Sequence, residues 1–424
     1  MSTPGGWRAR VSGKFERDLL WNLGSFAVLG LSGLALLRLI DELYGAAALG
    51  VFGQVWAAYV ISSQLAVLGI DRSLLRTLAS ERGSAGAAVC GALVPGAVLS
   101  AAVALAFYAL AEPLARMQGS AELALGMRAA APGLFFFGLN KIALAAVNGA
   151  RRMRAYAIYQ SLRYIGMPLG ALAAWGLGLP GARVAVLFSF AEGALALVLA
   201  LELALATHGA RRGWTRHTRT HLSYGLRSAL SGMLLELNSR VDVWMLGWFL
   251  VDEVPIARYV AALQVAEGLY QVLVVLQSNY NPLLAQLWGE GQRAELETLV
   301  RRGRRVTWIG MGALCALACA CYPWVVRLWM GDDYAASFAP FACLMAGIAL
   351  ASGYQPFQQL LLMANRPGWH SAYMGAVVGI NVLANALLIP RLGSTGAAIA
   401  TGIAFLASAA LIVLLARRLL GLRL

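Results

Sequence analysis

The chain has 424 residues, of which 60% are hydrophobic and only 13% charged. A water-soluble domain carries about twice that charged share, so a soluble enzyme or carrier is excluded and lipid must solvate much of the surface. The net charge of +14 would suit a nucleic-acid binder, but its placement along the chain suits membrane topology instead.

The N-terminal basic residues, an apolar run and Ala46-Ala47-Ala48 have the outline of a cleavable signal. Signal cores span about 7–15 residues. The run from about Leu19 to Ile40 is longer, so it reads as a retained first helix. A helix needs about 20 apolar residues to cross the hydrocarbon core. Twelve such runs follow one another: 19–40, 46–70, 87–111, 123–147, 156–178, 184–205, 228–250, 257–282, 306–326, 338–363, 370–389 and 395–416. The expected fold is therefore all-α, a polytopic membrane protein of about twelve transmembrane helices in two six-helix pseudo-symmetric lobes. The lobes are expected at 1–205 and 228–424, with a basic cytoplasmic linker at 206–227.

The positive-inside rule sets the orientation. With the N-terminus inside, the cytoplasmic segments hold 24 Lys and Arg and the outer loops hold 6. Both termini are expected on the cytoplasmic side of the membrane. Two weak internal matches suggest a repeat. Gly181-Ala182-Arg183-Val184-Ala185 and Gly396-Ala397-Ala398-Ile399-Ala400 open the sixth and twelfth spans. Leu49-Gly50-Val51-Phe52 and Ile256-Ala257-Arg258-Tyr259 open the second and eighth. Six helices per half make such a repeat parallel. Gly166-x-x-x-Gly170 and Gly375-x-x-x-Gly379 are candidates for close helix packing.

Ionisable groups in the bilayer are costly, about 2.5–3.5 kcal/mol at the centre of a span. Arg128, Lys141, Arg163, Glu192, Glu236, Arg240, Asp242 and Glu267 all fall within spans. They are expected to line a cavity, to pair with one another, or both. Glu236 and Arg240 are four apart and share a helix face. Asp242 lies about 200° around from Arg240 and needs a partner on another helix. Gln264, Glu267 and Gln271 form a polar stripe in the eighth span. Tyr354, Gln355, Gln358 and Gln359 lie in the tenth, and Asn22, Ser25 and Ser32 in the first. Amides, hydroxyls and an aromatic ring suit sugar hydroxyls, and interhelical hydrogen bonding is the alternative. Lys141 and Arg163 sit at similar depth with no acid on their own two spans. They form a candidate anion site, unless they reach to the interface. Arg128, near the outer end of its span, could receive the same anion later.

No enzyme motif is present: the sequence has no P-loop, no H-E-x-x-H and no C-x-x-C. Cys315, Cys319 and Cys321 lie in an apolar run and read as inert thiols rather than a metal site. His208, His217 and His221 read as part of a solvated basic face. No metal or cofactor is expected.

The stretch Tyr224 to Leu250, with Asp242 before Trp244-Met245-Leu246-Gly247-Trp248-Phe249, resembles the Wzx-type polysaccharide flippases of the MATE/MOP superfamily. Gly69, Asp71 and Arg76 after the second span, and Gly393 to Thr401 before the twelfth, are similar to further segments of that family. The resemblance implies two lobes around a cavity, working by alternating access. It implies an undecaprenyl-pyrophosphate-linked oligosaccharide as substrate, for O-antigen or exopolysaccharide synthesis. Lys141, Arg163 and Arg128 would then meet the pyrophosphate. Glu192, Glu236, Arg240, Asp242, Gln264, Glu267, Gln271, Tyr354 and Gln355 would meet sugar or a coupling ion. Implied partners are the lipid bilayer, a polysaccharide polymerase and glycosyltransferases. A cation-coupled multidrug exporter, or a membrane polymerase or ligase of lipid-linked sugars, is the alternative.

Overall fold

The computed structural model describes Gly24, 28–80, 85–150, 152–207, 213–250 and 252–423. Among these residues every regular element is helical. Helix α1 is described over 28–44, so the expected polar residues Asn22 and Ser25 lie outside the described part. There follow α2 (Ala46–Val67), α3 (Ile70–Ser80), α4 (Ala85–Gln118), α5 (Ala121–Gly149), α6 (Met153–Gly176) and α7 (Leu187–Thr207). Then come α8 (Trp214–Phe249), α9 (Glu253–Gly289), α10 (Arg293–Met330), α11 (Phe338–Ala351), α12 (Leu360–Met363) and α13 (Pro367–Leu415). Among the described residues, eight helical stretches are long and apolar enough to cross a membrane. One of them, α13, is two helices run together across a kink at Gly393, whose φ of 56° no helical residue adopts. The chain is a multi-pass membrane protein.

Three boundaries differ from expectation, each for a local reason. The second span ends at Val67, because Leu68 and Gly69 turn left-handed, with φ of 45° and 71°. Beyond the turn, α3 is a separate amphipathic helix. The tenth span is not one helix. It breaks between Ala351 and Leu360, where Gly353 loosens the backbone and Pro356 removes an N–H and clashes with the preceding turn. The segment 206–227 is not an open linker where it is described: α8 starts at Trp214 and runs unbroken into the seventh span. Arg211 and Arg212 lie outside the described residues.

The chain clusters into two compact units. The first takes in Tyr59–Arg116 and Ala121–Ala229 with the segment up to Gly45. The second takes in Leu230–Leu424 with Ala46–Ala58 and Met117–Ser120. In the first, Val67, Ile70, Leu74, Ala88, Val89 and Ile142 make a buried cluster where α2, α3, α4 and α5 meet. Small residues set helix distances: a Cβ at Gly166 would lie 3.2 Å from Ala191, and one at Gly170 3.0 Å from Leu187. Gly166 and Gly170 thus let α6 lie close on α7. Gly375 and Gly379 have nothing within 4 Å, so that second small-residue pair makes no close approach.

The N-terminal part of α8 docks on the first unit. Thr218 Oγ1 donates to the Gly91 carbonyl at 3.0 Å. The Arg76 guanidinium lies over the Tyr224 ring at 5.3 Å. His221 is fully buried, against the expectation of a solvated basic face. Its Nε2 lies 3.2 Å from the Ala88 carbonyl, and its Nδ1 lies 2.9 Å from Ser73 Oγ. A carbonyl only accepts, so Nε2 carries the proton and Nδ1 accepts from the serine. The ring is therefore neutral, and burial pushes its pKa below the ordinary histidine value. In the second unit, Leu284, Leu296, Phe357, Leu361, Tyr373 and Ile412 form a core where α9, α10, α12 and α13 converge.

Candidate functional site

In the first unit the polar residues of α5, α6 and α7 meet. Arg163 on α6 and Glu192 on α7 form an ion pair, with Nε 2.8 Å from Oε1. A second contact, Nη2 to Oε2, is 3.2 Å. Both are buried, at 6% and 0% exposure. Asn140 on α5 donates to Glu192 Oε2 at 2.8 Å, and also to the Glu192 backbone carbonyl. The expectation of two unneutralised cations is corrected here: Arg163 has its acid, supplied by the third helix rather than by its own two. Lys141 is brought to the same place. Its Nζ lies 5.8 Å from the Phe137 ring centre, and the Arg163 guanidinium lies 4.9 Å from that centre. Gln64 Oε1 is 3.5 Å from Lys141 Nζ. Lys141, Arg163 and Glu192 therefore share one site around the Phe137 ring.

Tyr59 completes the cluster. Its ring stacks on Phe188 at 4.4 Å, and its buried hydroxyl has no hydrogen-bond partner among the described residues. Arg128 is elsewhere in the unit. It pairs with Glu112 at 3.3 Å and lies over Tyr108 at 5.6 Å. The structure thus joins Lys141, Arg163 and Glu192 and leaves Arg128 apart.

In the second unit the expected site residues fall into separate polar groups. Arg240 on α8 pairs with Glu267 on α9, through contacts of 3.0 and 3.1 Å. Trp56 covers the guanidinium at 5.1 Å. The expected pairing of Arg240 with Glu236 is not the one formed. Glu267 approaches from the facing helix and offers both oxygens to the guanidinium fork. Gln264 borders the same spot, in a cavity of about 10 Å³, which is at the limit for one water.

Asp242 is buried and faces elsewhere. It accepts from Val243 N at 2.8 Å, from Thr401 Oγ1 at 3.2 Å and from the Tyr259 hydroxyl. No cation lies within ion-pair distance of it among the described residues. Close by in sequence, Asn238 accepts from Asn381 at 3.2 Å.

The third group surrounds the break between α11 and α12. Gln355 Oε1 accepts from Tyr270 at 3.1 Å and also from Gln358. Gln358 donates to Ser408 at 2.9 Å, and Asn281 donates to Gln359 Oε1 at 2.8 Å. Tyr354 takes its hydrogen bond from Arg304 on α10. Gln271 is exposed on α9. Sequence reasoning missed Asn140, Gln64, Trp56, Gln277, Asn281 and Thr401. Only Asn140, adjacent to Lys141, carried a local signal.

Long broken helices with paired charges and amides at membrane depth define a class, the multi-pass transporter-like membrane proteins. Solved structures agree on the fold. An inward-facing multidrug resistance MATE transporter of the MOP superfamily matches with a TM-score of 0.70 and 16% identity, over 93% of each chain. The lipid II flippase MurJ, in an inward closed conformation, matches with 0.74 and 12% identity, over 93% of this chain and 87% of that one. A MOP superfamily transporter from Pyrococcus furiosus, described as having a binding pocket of reversed polarity, matches with 0.61 and 16%, over 95% of each. No curated protein matches the chain. A family model for polysaccharide biosynthesis proteins matches residues 40–339. The chain belongs to that polysaccharide biosynthesis protein family, on the MOP fold.

Proposed function

We propose that the protein is a flippase that carries an undecaprenyl-pyrophosphate-linked oligosaccharide from the inner to the outer leaflet of the bacterial cytoplasmic membrane. The family match over residues 40–339 carries this reading. The polar groups support it, because hydrated sugars cannot cross hydrocarbon unaided. In this reading the two sequence halves, 1–205 and 228–424, are the moving lobes, and both termini face the cytoplasm. Lys141, beside the Arg163–Glu192 pair, receives the pyrophosphate. Asp242, buried and without a cation at ion-pair distance among the described residues, and Glu192 are the coupling candidates. Glycosyltransferases and a polymerase act before and after transport. The polysaccharide is a surface polymer of the O-antigen or exopolysaccharide kind.

The test is reconstitution in liposomes with a fluorescent lipid-linked oligosaccharide on one leaflet. Appearance of label on the other leaflet, read by a membrane-impermeant quencher, is the expected result. Export of cationic dyes with no lipid-linked sugar movement would replace this reading with the drug-exporter one. Orientation is tested separately by impermeant thiol labelling, expected at position 333 and not at 216 in intact cells.

A further inference from the structure

We propose that the second unit carries a saccharide-binding surface, built from the polar face of α9 and the break between α11 and α12. This rests on the flippase reading and assigns the sugar portion of the substrate to one place.

The break lies inside a stretch that should be helical. Counting from Phe338, α11 descends about 21 Å before it ends, so the backbone unwinds in the second half of the span. Non-helical backbone at that depth is tolerated where it is buried in protein or lines a water-filled cavity. The first condition is met at the break itself, and the two later glutamines there are less covered. Gln355 is 3% exposed, while Gln358 and Gln359 are only partly covered.

Against the break, α9 places Tyr270, Gln277 and Asn281, within a run of polar side chains from Gln264 to Asn281. Ser278 and Asn279 hide their donors on their own helix, at the carbonyls of Val274 and Val275. Gln271 does not: it is exposed and makes no hydrogen bond to the described residues. Asn281 is half satisfied. Its Nδ2 donates to Gln359, but its buried Oδ1 has no donor. Two further amide contacts sit at the edge of hydrogen-bond range. They run from Gln277 to the Gln355 carbonyl at 3.4 Å and from Gln359 to Gln277 at 3.5 Å. Such contacts exchange readily for better ones.

The chemistry of the ligand follows from what these groups offer. Amides present donor and acceptor together, and a sugar hydroxyl is both at once. Among the described residues, the charged side chain that this network's hydrogen bonds include is Arg304, held by Tyr354 at its edge. No carboxylate takes part in these hydrogen bonds, so an organic cation finds no matching charge in them, and the one cation lies at the edge rather than among the amides. A neutral polyhydroxylated chain finds an unpaired acceptor on Asn281 and a free amide on Gln271.

The experiment uses purified full-length protein in nanodiscs, with saturation-transfer NMR to read weak binding. The probes are a neutral oligosaccharide, inorganic pyrophosphate and a cationic dye. Wild type should transfer saturation to the oligosaccharide. Gln271→Leu and Asn281→Leu should each weaken that binding by about fivefold, the loss of roughly one hydrogen bond, and leave pyrophosphate binding unchanged. Gln271 is exposed, so its variant should keep the wild-type melting point, and it remains informative if Asn281→Leu fails to fold. Absence of oligosaccharide signal in wild type, or equal signal in wild type and Gln271→Leu, overturns the proposal. Lipid-linked sugar transport at the wild-type rate in both variants also overturns it, and leaves the flippase reading standing. Oligosaccharide binding with no lipid-linked transport has the reverse meaning.

Discussion

Arg163 and Gln355 are both polar, both nearly inaccessible and both at membrane depth, yet they are held by different means. Arg163 is matched by a full opposite charge from α7, with Asn140 behind it. Gln355 is matched by neutral neighbours, Tyr270 and Gln358. The first unit seals its main charge pair inside a three-helix junction. The second closes Arg240 and Glu267 under Trp56 and spends the rest of its polar groups on a neutral amide network. A charge pair is costly to break and tied to one geometry. An amide network is cheap to rearrange, because each bond contributes only about 0.5–1.5 kcal/mol. The first arrangement suits a fixed charge site and the second an adaptable surface.

The largest effect should come from splitting the buried pair. Arg163→Met strands the Glu192 carboxylate, and a broken buried pair costs about 3–5 kcal/mol. Melting in detergent should fall accordingly. Adding Glu192→Leu should recover most of the loss. A double variant no more stable than the single one would show that the charges are not what holds this junction.

Arg240→Gln should cost less, about 1–3 kcal/mol, because its pair with Glu267 is 17% and 28% exposed and water can reach the orphaned carboxylate. The same melting measurement ranks the two units. A larger loss at Arg240 than at Arg163 would invert the comparison. Smaller again is Tyr373→Phe, which removes one contact of 2.5 Å to Ser408 and should cost about 0.5–1.5 kcal/mol. A loss as large as that at Arg163 would mean that the neutral network is as rigid as the charged one.

Much of this was legible in the sequence. Long apolar runs with few breaks gave the spans, since hydrocarbon thickness alone sets their length. The intramembrane charges announced themselves by their cost. Their partners were not legible. Arg163 meets Glu192 across 29 positions and Arg240 meets Glu267 across 27, distances at which helix periodicity carries no information. The nearer candidate, Glu236, shares a face with Arg240 but lost to a helix packed opposite. The break at Gly353 and Pro356 was readable in principle, because a proline four residues from a serine-glycine pair marks weak helix. High hydropathy around it hid the signal. His221 was misread because a basic neighbourhood suggests solvent, while its burial depends on a fold that brings α3 and α4 beneath it.

The smallest effect is a pH response confined to the first unit. His221 is neutral in the fold, held by Ser73 and the Ala88 carbonyl. Burial is the larger cause that lowers its pKa, the carbonyl bond opposes it, and the nearby His217 adds to it. In the unfolded chain the ring has its ordinary value, near 6.5. Between the two values the unfolded or locally opened state binds more protons. The contribution of His221 is therefore complete above about pH 6.5 and is lost as pH falls through that value toward the folded one. The amides around Gln355 do not titrate in this range. Hydrogen exchange, corrected for the intrinsic rate, should show weaker protection at pH 5.5 than at 7.5 in residues 215–226 and no change in 264–281. His221→Gln should flatten the response of the first segment. An equal fall in both segments, or a response that survives the substitution, would place the pH sensitivity elsewhere and remove this difference between the units.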